Sequence, residues 1–190
     1  MRARGILGSF FVTGRFLEDK KARGIIRSLH KQGHYIGPHS DAHLLYMPWE
    51  DRSRLLVTED EFKDDLKANI VKLQRLGIAR MDKFIAPYEW YNRQIVDWTS
   101  DLGLTLYNFT PGLRTAADYS FPEMGERYMD SKAISEQLFD FEVKQGLNGY
   151  IVLVHLGSDE RRTDKFFYIL DEIIDRLKDK NYKFVGLDEI

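Results

Sequence analysis

The sequence predicts an α/β fold with a mainly parallel sheet, and three observations support this class. Short apolar segments alternate with segments whose apolar residues recur at spacings of three and four. Glycines follow several of the helical segments, and a capping box begins one of them. The chain has 190 residues and no internal repeat, which is enough for a single domain over residues 1–190 with its own core. An α/β barrel and an open sheet both fit this alternation.

The first part of the chain predicts two strands around one helix. Residues 6–13 are apolar and rich in β-formers, and they end at Gly14. Residues 22–32 carry apolar residues at helical spacing, and Gly33 stops that helix. Residues 34–37 form a short strand, followed by an irregular stretch that contains a proline.

A capping box predicts where the next helix begins. The hydroxyl of Thr58 can accept from the third backbone N–H of the turn, while Glu61 reaches back to the cap. The helix that follows should bury one face and end near Gly77; that face consists of Phe62, Leu66, Ile70 and Leu73.

The remaining elements continue the alternation. Further strands are predicted at 81–86, 104–109, 150–155 and 181–187, and further helices at 91–102, 132–144 and 166–177. A long loop over 110–129 contains several glycine and proline breaks. The last helix has the clearest apolar stripe, made of Phe166, Ile169, Leu170, Ile173, Ile174 and Leu177.

Composition narrows the function classes. Lysine plus arginine is 28 and aspartate plus glutamate is 30, so the net charge of −2 offers no reason to expect a nucleic acid partner. No segment approaches the roughly 20 apolar residues of a membrane span, and no signal peptide is visible. The chain contains no cysteine, so a metal would have to be held by His, Asp or Glu. The localisation is left open, with an extracellular or periplasmic site fitting an N-terminally truncated chain.

Three histidines stand where predicted strands end. His39 and His43 are four residues apart after one strand, and two neutral imidazoles suit Zn²⁺, Co²⁺, Ni²⁺ or Fe²⁺. His155 follows the apolar segment 151–154 and could act as a general acid. Taken singly, the pair could be ordinary polar loop residues, and His155 could be a hydrogen-bonded core histidine. In a parallel α/β fold, however, catalytic groups gather at strand ends.

Four motifs in order resemble the polysaccharide deacetylases with a NodB-type domain (carbohydrate esterase family 4-like). They are Gly8-Ser9-Phe10-Phe11-Val12-Thr13-Gly14, His39-Ser40-x-x-His43, Pro87-Tyr88 and Leu153-Val154-His155. The resemblance covers nearly the whole chain. It implies a distorted (β/α) barrel and a hydrolase that removes N- or O-acetyl groups from sugars with one divalent metal. Zn²⁺ is favoured among the metals, and an acetylated oligo- or polysaccharide is the implied partner.

The resemblance also implies roles for individual residues. His39 and His43 would bind the metal, and His155 would be the general acid, oriented by Asp118. The Tyr88 backbone N–H would stabilise the oxyanion. The implied substrate-binding residues are Pro87, Leu153 and Trp90.

The chain departs from the family pattern at two places. The family's Thr-Phe-Asp-Asp-Gly type strand end, which supplies the base and the third metal ligand, should precede Gly8, so we expect the first strand to be missing. The family arginine two positions before the proline is replaced by Ile85, and Arg114 is the candidate substitute. Asp41 and Glu89 are the carboxylates nearest to the motifs, although alternation of side chains argues against Asp41 as a ligand.

Three functions therefore stay open. The first is a deacetylase, acting on non-peptide C–N bonds, with a divergent base or an incomplete N-terminus. The second is a carbohydrate-binding module on the same scaffold without hydrolysis. The third is an unrelated metal amidohydrolase on an α/β barrel. A missing first strand would also leave a strand edge unpaired, which predicts low stability or a homo-oligomer.

Overall fold

The structure, a computed structural model, describes residues 4–189 and alternates strands with helices. The strands are β1 (Ser9–Val12), β2 (Tyr35–Pro38), β3 (Lys83–Ile85) and β4 (Thr105–Tyr107). The α-helices are α1 (Lys20–Lys31), α2 (Glu59–Gln74), α3 (Arg93–Asp101), α4 (Ser131–Gln145) and α5 (Leu170–Asp179). Short 3-10 turns occupy Phe16–Glu18, Pro87–Glu89, Thr115–Tyr119, Pro122–Arg127, Phe166–Tyr168 and Leu187–Glu189.

The described residues cluster into two compact units. The first contains the residues up to Asn108 together with those from Phe184 onward, and the second contains Phe109–Lys183. That residues 1–190 form one domain stays a prediction.

The strands of the first unit pair in parallel, as the alternation of elements predicts. β1 pairs with β2, with Ser9 opposite Tyr35, and β3 pairs with β4, with Lys83 opposite Thr105. The Tyr35 hydroxyl links the two pairs, because it accepts a hydrogen bond from the Lys83 backbone N–H at 2.9 Å. Tyr35 and Lys83 stand at the amino ends of β2 and β3. At the carboxyl ends, the His39 ring Nδ1 lies 2.7 Å from the Ile85 carbonyl oxygen. The carboxyl ends of the two strands are therefore also close together, which is the arrangement that brings strand-end side chains into one place.

Two apolar clusters hold these strands against the helices. One contains Tyr46, Met47, Phe62, Leu66, Phe84, Ala86, Ile95, Trp98 and Leu104, and the other contains Leu17, Ile26, Ile36, Leu73, Leu76 and Ile78. Each large side chain buried in this way contributes about 1.5–3 kcal/mol. The loops that leave β2 and β3 therefore start from well-packed positions.

The sequence signals for helix ends are confirmed in the first unit. The Glu61 backbone N–H donates to Thr58 Oγ1 at 3.2 Å, and Glu61 Oε2 accepts from the Thr58 N–H at 2.7 Å. The hydrogen bonds that the Glu61 carboxylate accepts from the Thr58 N–H and from the Thr58 hydroxyl lower the pKa of this carboxyl. Asp19 and Asn92 cap α1 and α3 with their side chains.

Two predicted strands are wrong. Residues 150–155 and 182–186 are described and adopt no strand. In the first segment, the Ile151 carbonyl accepts from the Thr110 N–H at 3.1 Å, and the Ile151 N–H donates to the Thr110 side chain, Oγ1, at 2.9 Å, so this contact is not a strand ladder. A run of apolar residues indicates that a segment is buried. A strand also requires a neighbouring strand that forms continuous backbone hydrogen bonds with it, and the sequence of the run does not show whether such a neighbour exists. No helix within residues 4–189 is long and apolar enough to cross a membrane.

Candidate active site

The end of β2 places His39 directly beside the end of β3. The His39 backbone N–H donates to Asn69 Oδ1 at 2.8 Å, and the ring Nδ1 lies 2.7 Å from the Ile85 carbonyl oxygen. Because a carbonyl oxygen only accepts, Nδ1 carries the proton in this contact. The lone pair of the neutral ring is then on Nε2. A backbone carbonyl that holds the other ring nitrogen is the usual support of a metal-binding histidine.

A tight turn after His39 brings His43 back beside it. Ser40 and His43 both have left-handed backbone conformations, with φ of 68° and 57°. The buried Ser40 hydroxyl accepts from the His43 N–H at 2.9 Å, and the centroids of the two imidazole rings are 5.0 Å apart. Left-handed non-glycine residues are uncommon and persist where the surroundings enforce them. The turn therefore presents both rings on one side.

Asp65 of α2 is the group that enforces this turn. Its Oδ2 accepts from the Ser40 hydroxyl at 2.6 Å and from the Asp41 N–H at 2.9 Å, and its Oδ1 accepts from the Ala42 N–H at 2.8 Å. Hydrogen bonds to a charged carboxylate are each worth about 1.5–3 kcal/mol. One side chain thus anchors the whole segment between the two histidines, which we call the histidine loop (His39–His43).

The Asp41 carboxylate is paired with Lys72. Lys72 Nζ lies 2.8 Å from Asp41 Oδ1 and 2.9 Å from Oδ2, and this contact raises the pKa of the Lys72 ammonium. The same carboxylate lies against Gly14, where an added Cβ would come within 1.6 Å of Oδ1. The Gly14 N–H also donates to the Ser40 carbonyl at 3.1 Å. Gly14, the last residue of the first motif, is thus a close contact of the histidine loop.

The donor chemistry of this loop fits a divalent metal in part. Two adjacent imidazoles, one of them fixed through Nδ1, are suitable ligands for Zn²⁺, Co²⁺ or Ni²⁺. Catalytic zinc usually has three protein ligands. Within residues 4–189, no group of three or more His, Cys, Asp or Glu side chains is arranged to hold a metal ion. The described residues therefore bring together two candidate ligands, and the Asp41 carboxylate is ion-paired with Lys72.

The turn after β3 contributes Tyr88. Pro87 is buried, and Tyr88 and Glu89 both adopt left-handed conformations, with φ of 62° and 52°. The Tyr88 ring lies against His43, with centroids 4.4 Å apart. The third motif is therefore adjacent to the second, as the shared strand-end location predicts.

Trp90 follows in the same segment and is half-buried. Its Nε1 donates to the Pro48 carbonyl at 3.3 Å, and the Arg52 guanidinium carbon lies 3.7 Å from its ring centroid. Trp90 thus holds the irregular segment that follows the histidine loop.

The second unit contains a histidine–aspartate pair. Asp118 is only 1% exposed, and both of its oxygens contact His155: Oδ2 accepts from the backbone N–H at 2.7 Å, and Oδ1 lies 2.6 Å from ring Nδ1. A carboxylate accepts, so Nδ1 carries the proton and Nε2 is the nitrogen that can exchange one. The Tyr119 ring lies edge-on to His155 with centroids 6.2 Å apart. The structure thus brings together the histidine and the aspartate that the family resemblance pairs.

Arg162 fixes the segment that follows Asp118. Its guanidinium is fully buried and donates to the Ser120 carbonyl at 2.8 Å, the Met129 carbonyl at 2.9 Å and the Ser131 hydroxyl at 2.9 Å. Arg114 is exposed at the start of the turn that carries Asp118, and Leu153 is half-buried two residues before His155.

Three supporting residues, Asp65, Asn69 and Arg162, are not predicted from the sequence. Asp65 and Asn69 follow the apolar positions of α2 at a spacing of three, so they are polar residues adjoining its buried stripe. That interruption was a usable signal, because a polar group on a buried face needs a partner. No comparable signal marks Arg162.

Comparisons with known proteins concern the family and the fold of the chain. The sequence profile of the polysaccharide deacetylase family matches residues 1–107. Peptidoglycan-N-acetylmuramic acid deacetylase PdaA of Bacillus subtilis is 22% identical over 192 aligned residues, covering 100% of this chain and 63% of that protein. An uncharacterized 30.6 kDa protein of Geobacillus stearothermophilus is 24% identical and covered to 62%. The chain therefore spans less than two thirds of these curated relatives.

Solved structures share the fold. A CE4 family pseudoenzyme from Bacillus anthracis matches with a TM-score of 0.73 and 17% identity, covering 99% of this chain and 56% of that one. The structure of PdaA from Bacillus subtilis, a family 4 carbohydrate esterase, matches with a TM-score of 0.71 and 23% identity over 99% and 70% of the two chains. A family 4 acetyl xylan esterase from Clostridium thermocellum, in complex with a cobalt ion, matches with 0.69 and 18% over 99% and 78%. The likeness confirms the α/β fold of the NodB type.

Proposed function

The chain belongs to the polysaccharide deacetylase family, and from this we propose that it removes acetyl groups from an N- or O-acetylated carbohydrate with the help of one divalent metal. The observation that carries the hydrolytic proposal is the Asp118–His155 pair. A carboxylate buried to 1% exposure and bonded twice to one histidine fixes the orientation and tautomer of that ring. Carbohydrate binding alone does not require such an arrangement.

His155 is proposed as the general acid. With Nδ1–H held by Asp118, Nε2 can give a proton to the departing sugar nitrogen or oxygen when the acetyl bond breaks. The buried carboxylate stabilises the charged ring before that transfer. Positioned acid catalysis of this kind contributes about 10²- to 10⁴-fold to a rate.

His39 and His43 are proposed to hold the metal. Their support comes from the Ile85 carbonyl on His39 Nδ1, and from the Ser40 hydroxyl on the His43 backbone. A bound divalent cation supplies Lewis acidity toward the acyl oxygen and toward water. The Tyr88 backbone N–H is proposed to stabilise the oxyanion.

The remaining assignments concern the substrate and the base. Pro87, Trp90 and Leu153 are proposed to line the substrate site, with Leu153 beside the acetyl methyl group. Arg114 is proposed to orient the general base. Zn²⁺ is the favoured metal, and a homo-oligomer through a strand edge stays a prediction.

The number of candidate metal ligands favours a second function, which is carbohydrate binding without hydrolysis. Residues 4–189 provide no third metal ligand beside the histidine loop, and Asp41 is paired with Lys72. A chain with only two candidate metal ligands could bind carbohydrate without hydrolysing it. The similar CE4 family protein from Bacillus anthracis is itself a pseudoenzyme.

Acetate release separates the two functions. Purified protein supplied with Zn²⁺, Co²⁺ or Ni²⁺ should release acetate from acetylated chitooligosaccharides or acetylated xylan, and His155→Ala should abolish the release. No acetate with any metal, together with measurable oligosaccharide binding, would replace the hydrolase proposal by the binding proposal.

Metal stoichiometry tests the histidine loop independently. The double variant His39→Ala/His43→Ala should lose bound metal in elemental analysis after dialysis. The matched control is His30→Ala, because His30 is an exposed histidine in the last turn of α1 and should leave the metal content unchanged. Equal metal content in the double variant and the wild type would refute the ligand assignment.

A further inference from the structure

We propose that Trp49 is a binding platform for a pyranose ring of the substrate, next to the histidine loop; this inference rests on the proposed carbohydrate function. Trp49 has no role in any of the sequence motifs. It belongs to the irregular segment between the histidine loop and α2.

A chain of aromatic contacts connects Trp49 to the candidate metal ligand. The Trp49 indole is 54% exposed, and its ring centroid lies 5.4 Å from that of Tyr88, which is 43% exposed. The Tyr88 ring in turn lies 4.4 Å from His43. All three side chains belong to the first unit. An exposed aromatic surface therefore begins within two ring contacts of the histidine loop.

The Trp49 indole packs against Trp90, and Trp90 has further contacts of its own. Trp90 lies 5.6 Å from Trp49, its Nε1 donates to the Pro48 carbonyl, and the Arg52 guanidinium lies 3.7 Å from its ring centroid. The Asn92 side chain donates to the Arg52 carbonyl at 2.9 Å and ties the segment to the start of α3. Trp90 thus has its indole nitrogen and one face in use, whereas more than half of Trp49 is exposed.

The chemistry of such a surface suits a sugar ring. A pyranose with equatorial substituents presents axial C–H bonds on its faces, and the face of an aromatic ring is electron-rich and apolar. A tryptophan also loses little conformational freedom on binding, because only two side-chain torsions need to be ordered. Exposed apolar surface beside a polar cleft is the usual mark of a ligand site. Trp49 would therefore position a ring beside the residue being deacetylated.

The test measures binding without turnover. A tetramer of β-1,4-linked N-acetylglucosamine is titrated into the full chain in EDTA, and the dissociation constant is read by calorimetry and by tryptophan fluorescence. Trp49→Ala should raise the Kd by about ten- to twentyfold, because the sugar ring then no longer buries roughly a third of the surface of an aromatic side chain. Trp49→Phe keeps an aromatic face and should raise it less than fourfold.

A matched control and the refuting outcomes complete the test. Tyr168→Ala removes an aromatic side chain that is 71% exposed and lies outside the platform, so it should leave Kd unchanged. A Kd for Trp49→Ala within twofold of wild type, in a protein with wild-type circular dichroism, would overturn the proposal. Absence of tetramer binding by the wild type at millimolar concentration would also overturn it. Weakened binding without any acetate release would support the platform and refute only the deacetylase function.

Discussion

Replacing Asp118 by asparagine tests the proposed proton donor at the level of single atoms. Asp118 presents two acceptor oxygens to two N–H groups of His155, at 2.7 and 2.6 Å, in a site that is 1% exposed. Asparagine has the same shape but only one acceptor oxygen. The asparagine NH₂ group must therefore face one of the two His155 N–H donors, which leaves that donor without an acceptor. If it faces the ring, Nδ1 can accept from the NH₂ group only when the imidazole proton is on Nε2.

The magnitude follows from these two contacts. A hydrogen bond to a charged group is worth about 1.5–3 kcal/mol, and an unpaired buried donor adds a desolvation cost. We expect Asp118→Asn to lower the free energy of unfolding by about 2–3 kcal/mol, which is a fall in Tm of about 4–12 °C for a chain of this size. We also expect acetate release to fall by about a hundredfold or more, because a ring with its proton on the wrong nitrogen cannot act in the same way.

The assay combines urea denaturation, acetate release and NMR of the imidazole nitrogens, which reports the tautomer directly. The matched control is Asp130→Asn: Asp130 is exposed and caps α4 by accepting from the Ala133 N–H at 2.7 Å, and asparagine caps equally well. This control should change the unfolding free energy by less than about 0.5 kcal/mol. If Asp118→Asn matched the control in both stability and tautomer, the pair would not orient His155 and the reasoning would fail.

Three further predictions concern the first unit. Asp65→Ala removes three hydrogen bonds of the histidine loop, so it should lower the free energy of unfolding, measured by urea denaturation, by about 3–4 kcal/mol. The control Asp64→Ala changes an exposed residue and should alter this free energy by less than about 0.5 kcal/mol. Equal effects of the two substitutions would exclude the anchoring role of Asp65. Gly14→Ala places a Cβ 1.6 Å from the Asp41 Oδ1 atom and should lower the free energy of unfolding by about 1–3 kcal/mol. The control Gly24→Ala lies inside α1 with open space around it and should raise the free energy of unfolding by about 0.5–1 kcal/mol. No change in the free energy of unfolding for Gly14→Ala would show that the surroundings relax to accept the Cβ. Burial lowers the pKa of His34, so the folded chain binds fewer protons than the unfolded one, and the urea midpoint should be steady above pH 6.5 and fall as the pH drops below it. His34→Asn should flatten this dependence, and an identical pH profile in the variant would rule out His34 as its source.

Local signals in the sequence predicted the helices well. The capping box at Thr58 and the apolar stripe of α2 depend on residues three and four apart, and the structure places the helix at Glu59–Gln74. The parallel pairing of β1 with β2 also followed from the alternation of elements. The two predicted strands that are wrong, at 150–155 and 181–187, depended on partners that no local pattern specifies.

The candidate site divides in the same way. His39, His43, His155 and Asp118 could be singled out from motifs, because metal binding and proton transfer require particular side chains at particular spacings. Their supports could not be singled out from motifs, because Asp65, Arg162 and the Ile85 carbonyl act across 23 to 46 positions of the chain, for example 23 between Ala42 and Asp65. The polar interruption of the α2 stripe indicates that Asp65 needs a partner, but it does not say which partner. Trp49 lay in a stretch without periodicity, so nothing local marked it as part of an aromatic surface.

The sequence by itself determined the α/β class, the order of the elements and the types of side chain available for chemistry. These properties are encoded over a few neighbouring residues, through helical and strand spacing and through capping. The tertiary structure alone decided which nitrogen of His39 is held by a carbonyl, that Asp41 pairs with Lys72, and that Asp118 gives both oxygens to His155. Hydrogen bonds depend on direction and on distances of a few tenths of an ångström, and such geometry exists only once distant segments are packed together.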